Sequence, residues 1–274
     1  MNPSRPSWAA LLLKAVRHFL KDGCLDHAAA VAYYSLLSLA PFLYLVALLI
    51  RWMLPGHDPT GIALTRVSAF VPPELAPTIE RLGRSLPSGE GMAVVAIPAL
   101  VWVATTALTT LEGAVNVAFG TLPRRKYWLS KLKAFAGASG VTVLLFGTLA
   151  ANHAAAWLDR YRTRLKLPPV LGPRAAWFSY VALLVAAFAT FATFYKLLPR
   201  GRIRWRSALS AALVALILWD IARRIFGSVL VHSPTFGLLT GTLAGIVAIL
   251  LWVYTAAAIC LYGAELAALL NGNR

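Results

Sequence analysis

An all-α, polytopic membrane protein with six transmembrane helices is the fold class this sequence predicts, and three observations predict it. The first is a set of six long apolar stretches, of which Ala28 to Ile50 is the cleanest because it holds no charge. A helix rises about 1.5 Å per residue, so roughly 20 apolar residues cross a hydrocarbon core ~30 Å thick. The second is composition. Hydrophobic residues make up 59% of the 274 and mean hydropathy is +0.70, which would leave too much apolar surface facing water in a soluble fold. The third is the placement of charge. The 26 Lys and Arg against 10 Asp and Glu give a net +16, and the basic residues gather at the ends of the apolar stretches, where membrane proteins meet anionic headgroups. That placement favours membrane lipids as the partners of the charge, and no nucleic acid.

The elements follow in chain order. Residues 7–22 predict an N-terminal interfacial helix: Trp8, Leu11, Leu12, Ala15 and Phe19 share one face, with Lys14, Arg17 and Lys21 elsewhere. This face either lies in the membrane interface or packs on the bundle. Asp22-Gly23 ends the helix, and Asp26 can cap the first span, 28–50. The loop 51–91 carries Leu75, Ile79, Leu82 and Leu86 at steps of four, three and four, so it predicts a short amphipathic helix in the first outer loop. Pro72-Pro73 starts that helix and Pro87-Ser88-Gly89 ends it. The remaining spans are expected at about 92–111, 134–158, 175–195, 207–231 and 238–264. In the last, Gly237, Gly241 and Gly245 fall on one face, a spacing that lets helix backbones approach closely.

Orientation comes from the basic residues. With the N-terminus in the cytoplasm, fifteen of the 26 Lys and Arg fall on the inner side, and the near-neutral 51–91 loop falls outside. Residues 1–27 then form a cytoplasmic amphipathic segment, 28–270 the membrane domain and 271–274 a cytoplasmic tail. Arg5, Lys14, Arg17 and Lys21 interrupt the residues before Ala28, so these do not read as a cleavable signal, and the first span serves as an uncleaved one.

Ionisable groups at membrane depth are costly, which makes each a functional candidate. Thr105, Thr109, Glu112 and Asn116 form a polar stripe on the second span. It either lines a cavity or bonds to neighbouring helices. On the fifth span, Asp220 sits mid-membrane, with Arg223 and Arg224 within reach at three and four residues. Arg224 is the expected structural partner of Asp220, which leaves Arg223 for a cavity or headgroup. Two cations against one anion leave a net positive site, which an anionic substrate, a lipid phosphate, Glu112 or Glu265 could balance. Structural pairing and substrate contact both remain open for this group.

Catalytic and metal signatures are not expected. His18, His27, His57, His153 and His232 stand singly, without paired spacing, and Cys24 and Cys260 offer no metal or disulfide pattern. Asn152 with His153 reads as a satisfied interior pair. No G-x-S-x-G elbow or P-loop is present, so neither an enzyme nor a cofactor is expected.

Several strings carry a resemblance. The run from Asp26-His27-Ala28 through Tyr33-Tyr34-Ser35 to Ala40-Pro41 is one; Asn116 with Phe119-Gly120 and the basic loop after it is a second. The third comprises Phe226, Pro234, Phe236, Gly241, Leu251-Trp252-Val253-Tyr254 and Gly263-Ala264-Glu265-Leu266. In order and spacing these resemble the YihY/BrkB family of bacterial inner-membrane proteins over nearly the whole chain. The chain departs from it at Val229 and Thr240, where the family often has tyrosine, and at Ile246, where proline is common. The resemblance implies six transmembrane helices and an inner-membrane location. Members have been labelled ribonuclease BN, linked to serum resistance, or thought to move envelope lipids. Metal-dependent RNA hydrolysis needs clustered His and Asp ligands, which the sequence spacing does not offer. The expected function is therefore transport, or assistance in transport, of an amphipathic or anionic envelope molecule such as a lipid. The alternative is a non-transporting envelope scaffold, and the least favoured is a ribonuclease.

Overall fold

The computed structural model describes residues 8–53, 75–84, 93–120, 174–199, 203–232 and 242–272. These form seven helices, with no strand among the described residues: α1 (Trp8–Lys21), α2 (Cys24–Met53), α3 (Ala76–Arg84), α4 (Ala93–Ala118), α5 (Arg174–Leu197), α6 (Trp205–His232) and α7 (Thr242–Asn271). Five of the expected spans fall on α2, α4, α5, α6 and α7. The expected span 134–158 lies outside the described residues, as do Asn152, His153, Gly237 and Gly241. Three stretches are long and apolar enough to cross a bilayer: Cys24–Leu45, Val94–Ala118 and Ala244–Asn271. Only 11% of the Val94–Ala118 window is buried, so most of a strongly apolar helix faces outward, as a lipid solvent requires.

The start of α2 meets the end of α7, where Cys24 Sγ lies 3.8 Å from Glu265 Oε1. The ends of α4 and α5 reach the same region through Val115, Ala118 and Tyr195, and α6 begins there with Ile203 and Ala208. This is the near end of the bundle. From it α2 and α6 run away, while α4, α5 and α7 run toward it. Twelve of the nineteen buried residues in its cluster are alanine, including Ala28, Ala114, Ala208, Ala212 and Ala264. Lipid tails are as apolar as leucine, so helices associate in a membrane by close packing, and small side chains permit it.

At the N-terminus, Gly23 takes φ 64, the left-handed conformation that ends α1 and lets α2 start at Cys24. Asp26 therefore sits inside the first turn, where its charge favours the positive helix end, instead of at the capping position expected from sequence. The Leu12, Ala15 and Phe19 face of α1 packs on α7: Ala15 is buried, the Tyr262 hydroxyl donates to Leu12 O at 3.2 Å, and Phe19 meets the Tyr262 ring edge-on. Trp8, expected on that face, is exposed along with Leu13, Val16 and Leu20. The helix is thus a cap on the bundle that still turns a second apolar edge outward.

The loop helix α3 is equally well seated. Leu75 and Ile79 are buried with Leu43 of α2 and Ala248, Ile249 and Trp252 of α7. Leu82 and Leu86, the rest of the expected stripe, lie outside the described side chains. Gly245 is what allows the approach, because a Cβ there would overlap the Thr78 side chain. A second glycine does the same at the near end. A Cβ on Gly263 would overlap the Tyr195 ring, whose hydroxyl donates to Cys260 O at 3.0 Å.

Two measurements check this packing. Ile79→Ala is expected to cost about 2–5 kcal/mol, the usual range for Ile→Ala in a packed core, read as a lowered unfolding midpoint in detergent. Gly263→Val is expected to destabilise more than Gly113→Val, because a Cβ at Gly113 meets nothing within 4 Å. Equal midpoints for the two valine variants would contradict the Tyr195 contact.

Candidate functional site

The polar stripe of α4 divides in two. Thr105 Oγ1 donates to Val101 O at 2.5 Å and to Trp102 O at 3.0 Å, and Thr109 Oγ1 donates to Thr106 O at 3.0 Å. These hydroxyls return to their own helix backbone, the usual way a membrane helix satisfies threonine without a partner. The other half is interior. Glu112 and Asn116 are 5% and 4% exposed, and Asn116 Nδ2 donates to Glu112 O at 2.8 Å. Glu112 and Asn116 are therefore inside the bundle, whereas Thr105 and Thr109 are only partly covered.

The charged group of α6 stands apart from that stripe. The helix runs unbroken from Trp205 to His232, so Asp220 lies within it and not at its end. Arg224 Nε bonds Asp220 Oδ2 at 2.9 Å, the structural pair that the four-residue spacing predicts. Arg223 is not left alone, as the sequence reading had it: its Nη2 comes within 3.7 Å of Asp220 Oδ1. The two cations nevertheless differ in setting. The Arg224 side chain is 69% exposed, whereas that of Arg223 is 27% exposed and turned toward the bundle. Leu209, Leu213, Ile217, Ile221, Ile225 and Val229 mark the outward face of α6 at steps of four. Arg224 lies within that outward sector at 100° per residue, and Arg223 lies nearly opposite Ile225. Counting from Ser207, Arg224 is about 26 Å along the helix, close enough to one face of a ~30 Å core for its long side chain to reach headgroups.

An aromatic wall stands beside this group. Trp219 meets Trp252 edge-on at 5.0 Å and Phe191 at 6.1 Å, and Phe226 lies 5.4 Å from Trp252. Glu265, a possible counter-ion in the sequence reading, is not brought here. It is thirteen residues beyond Trp252 on α7, about 20 Å away along the axis. There α7 continues to Asn271, and Glu265 is 0% exposed.

Glu265 instead joins a group that sequence reading missed. His18 and Asp22 of α1 bring their donor atoms, with those of Glu265, all within 4.8 Å of one another. The histidines thus do not all stand singly, and a cluster of the kind expected to be absent exists. Its local half was visible as the four-residue step from His18 to Asp22, but nothing in spacing announces a third ligand more than 240 residues on.

Comparison with known proteins fits this architecture. The family profile described as Virulence factor BrkB matches residues 15–274. The chain belongs to the BrkB family. Similar curated proteins are UPF0761 membrane proteins. That of Ralstonia nicotianae is 28% identical over 97% of this chain and 59% of its own length. Those of Chromohalobacter salexigens and Tolumonas auensis are 26% and 27% identical, over 97% and 89% of this chain and 65% and 80% of theirs. This BrkB chain thus spans about three-fifths of the length of the first two. No solved structure matches it. It is a membrane protein of the UPF0761/BrkB family.

For this BrkB protein, Asp220→Asn is expected to lower the unfolding midpoint in detergent more than Arg224→Gln, because it takes the carboxylate charge from two guanidiniums, whereas Arg224→Gln leaves Asp220 its contact with Arg223. Combining the two should recover part of the loss. A double variant as unstable as the sum of the singles would show that Asp220 and Arg224 are not energetically coupled.

Proposed function

We propose that this BrkB chain is a bacterial inner-membrane protein, with both termini in the cytoplasm, that moves or helps to move an amphipathic or anionic envelope molecule such as a lipid. The observation that carries this reading is the inequality of the two cations on α6. Asp220 holds Arg224 closely and Arg223 loosely, and Arg223 is the one on the bundle-facing side. A net positive charge there suits a phosphate or carboxylate headgroup, since a guanidinium binds planar oxyanions through two parallel hydrogen bonds. The aromatic wall of Trp219, Trp252 and Phe226 alongside offers apolar surface to an acyl or isoprenoid portion of the same molecule. Membership of a membrane-protein family over residues 15–274 supports the location.

Six spans agree with the described helices, because α4 ends at the near end of the bundle while α5 starts at the far end. The sixth proposed span is the apolar stretch 134–158 of the sequence, which lies outside the described residues. A C-terminal reporter fusion that is active only in the cytoplasm is the expected readout of the orientation, and periplasmic activity would overturn it.

A scaffold that docks an envelope partner is the second reading, and one observation favours it. The threonines of α4 spend their hydroxyls on their own backbone, and Tyr195 fills the space over Gly263, so neither place, among the described residues, offers room or polar atoms to a passenger.

The discriminating experiment is reconstitution in vesicles with a fluorescent anionic lipid. Transport by the wild-type protein should fall roughly fivefold or more in Arg223→Gln, the size of losing one charge-assisted contact, while membrane abundance is unchanged. Wild-type protein that moves no lipid, or an Arg223→Gln variant that moves it as well, would remove the transport reading.

A further inference from the structure

We propose that His18, Asp22 and Glu265 form a divalent transition-metal site, of the zinc class, which fastens α1 to the end of α7. This inference stands apart from the transport reading and shares none of its residues.

The three donors lie within 4.8 Å of one another. Bonds of about 2.0–2.2 Å to nitrogen and oxygen hold ligands of one ion somewhat closer than this, so small rotamer changes would bring all three onto one ion, with water or the Cys24 sulfur in the fourth tetrahedral position. The donors come from two separately placed parts of the fold. Asp22 and His18 stand four residues apart on one side of α1, and Asp22 N also bonds His18 O at 2.9 Å. The left-handed Gly23 stops the helix directly after Asp22 and leaves its carboxylate at the helix end. Glu265 comes from a different, fully buried stretch in which Ala264, Leu266, Ala267 and Ala268 are also inaccessible.

The electrostatics favour a cation. Two carboxylates converge on one imidazole, and one oxygen of each, Asp22 Oδ2 and Glu265 Oε2, is closed off from solvent. A divalent ion would draw the imidazole and both carboxylates onto one centre without needing a proton on the imidazole. The donor set then narrows the ion. Mg2+ requires near-octahedral oxygen ligation and keeps most of its water, which this partly dry helix contact does not suit. An imidazole nitrogen with carboxylates suits zinc and its neighbours, and the Cys24 sulfur, 3.8 Å from Glu265 Oε1, adds a soft atom at the edge of the same site.

Position gives the site its consequence. It lies where α1 meets α2 and α7, beside the contact of Phe19 with Tyr262. A bound ion would join the N-terminal cap to the last turns of the bundle, so the seating of α1 would depend on metal. With Glu265 fully buried, the ion would sit within a helix contact and not at an open substrate face.

The test uses the full-length protein, purified in detergent and stripped with a chelator. Zinc added against a chromophoric competitor should bind at one ion per chain, and the unfolding midpoint should rise with it. His18→Gln and Asp22→Asn should each weaken binding roughly tenfold or more and abolish the midpoint rise, with helix content unchanged. Lys14→Gln, on the same helix but outside the cluster, should bind as the wild type does. Glu265→Gln is the direct variant but is buried, so the two α1 variants carry the test if it fails to fold. The proposal is overturned if the stripped protein takes up no zinc stoichiometrically, if Mg2+ competes equally, or if both α1 variants bind as the wild type.

Discussion

Close approach of helix backbones at one end of the bundle is the constraint on which the rest depends. In water a helix pair is held by removing apolar surface from solvent, but in lipid that drive is lost because the tails are apolar too. What remains is packing quality, and packing improves as axes come together. Alanine at Ala28, Ala114, Ala118, Ala208, Ala211, Ala212, Ala264 and Ala267 makes that possible for α2, α4, α6 and α7 at once. Where even alanine is too large, the chain has glycine: Gly263 beneath Tyr195 and Gly245 beneath Thr78. The polar contacts described at that end are arranged around this packing.

The near end shows how. Once α2, α6 and α7 are drawn together, loose chain ends find fixed partners. Asn271 at the end of α7 accepts from Arg204 N at 2.9 Å, which tethers the start of α6. Lys196 at the end of α5 donates to Ile203 O and lies 5.0 Å from the Trp205 ring, holding the turn between α5 and α6. The Leu12, Ala15 and Phe19 face of α1 then has a surface to cover in α7. The order of dependence runs from small residues, to axis distance, to polar pairs.

That order explains what could be read from sequence. The long apolar helices among the described residues were legible because membrane crossing imposes length and polarity on each helix separately, and both are local properties. The apolar face of α1 and the Leu75/Ile79 pair of α3 were legible for the same reason, since periodicity within one helix reveals which side is covered. Contacts between helices were not. Gly245 was recognised as a packing residue, but its neighbour proved to be Thr78 of the loop helix, which no spacing could name. Glu265 was a possible counter-ion for the α6 cations, yet the fold buries it toward the other end of α7. The His18, Asp22 and Glu265 group was hidden for the strongest form of this reason: Glu265 shares neither helix nor neighbourhood in the chain with the other two.

The α6 charges follow a different logic. A charge at mid-span is tolerated when it is paired or when its side chain can reach water, and Asp220, Arg223 and Arg224 use both routes. Asp220 is the fixed point, a quarter exposed and shared by two cations. Arg224 combines the closer bond with the outward direction, so its far end can seek headgroups while its Nε stays on the carboxylate. Arg223 has neither advantage: its contact is longer and it turns inward beside Trp219 and Phe226. A residue held at this depth by so little is stabilised only if something else meets its charge. Among the described side chains Glu265 is committed to the near end and Glu112 lies within the alanine-rich layer, only about 9 Å from the end of α4. The geometry therefore leaves the positive surplus on α6 toward the bundle side, and the proposed transport reading rests on that surplus.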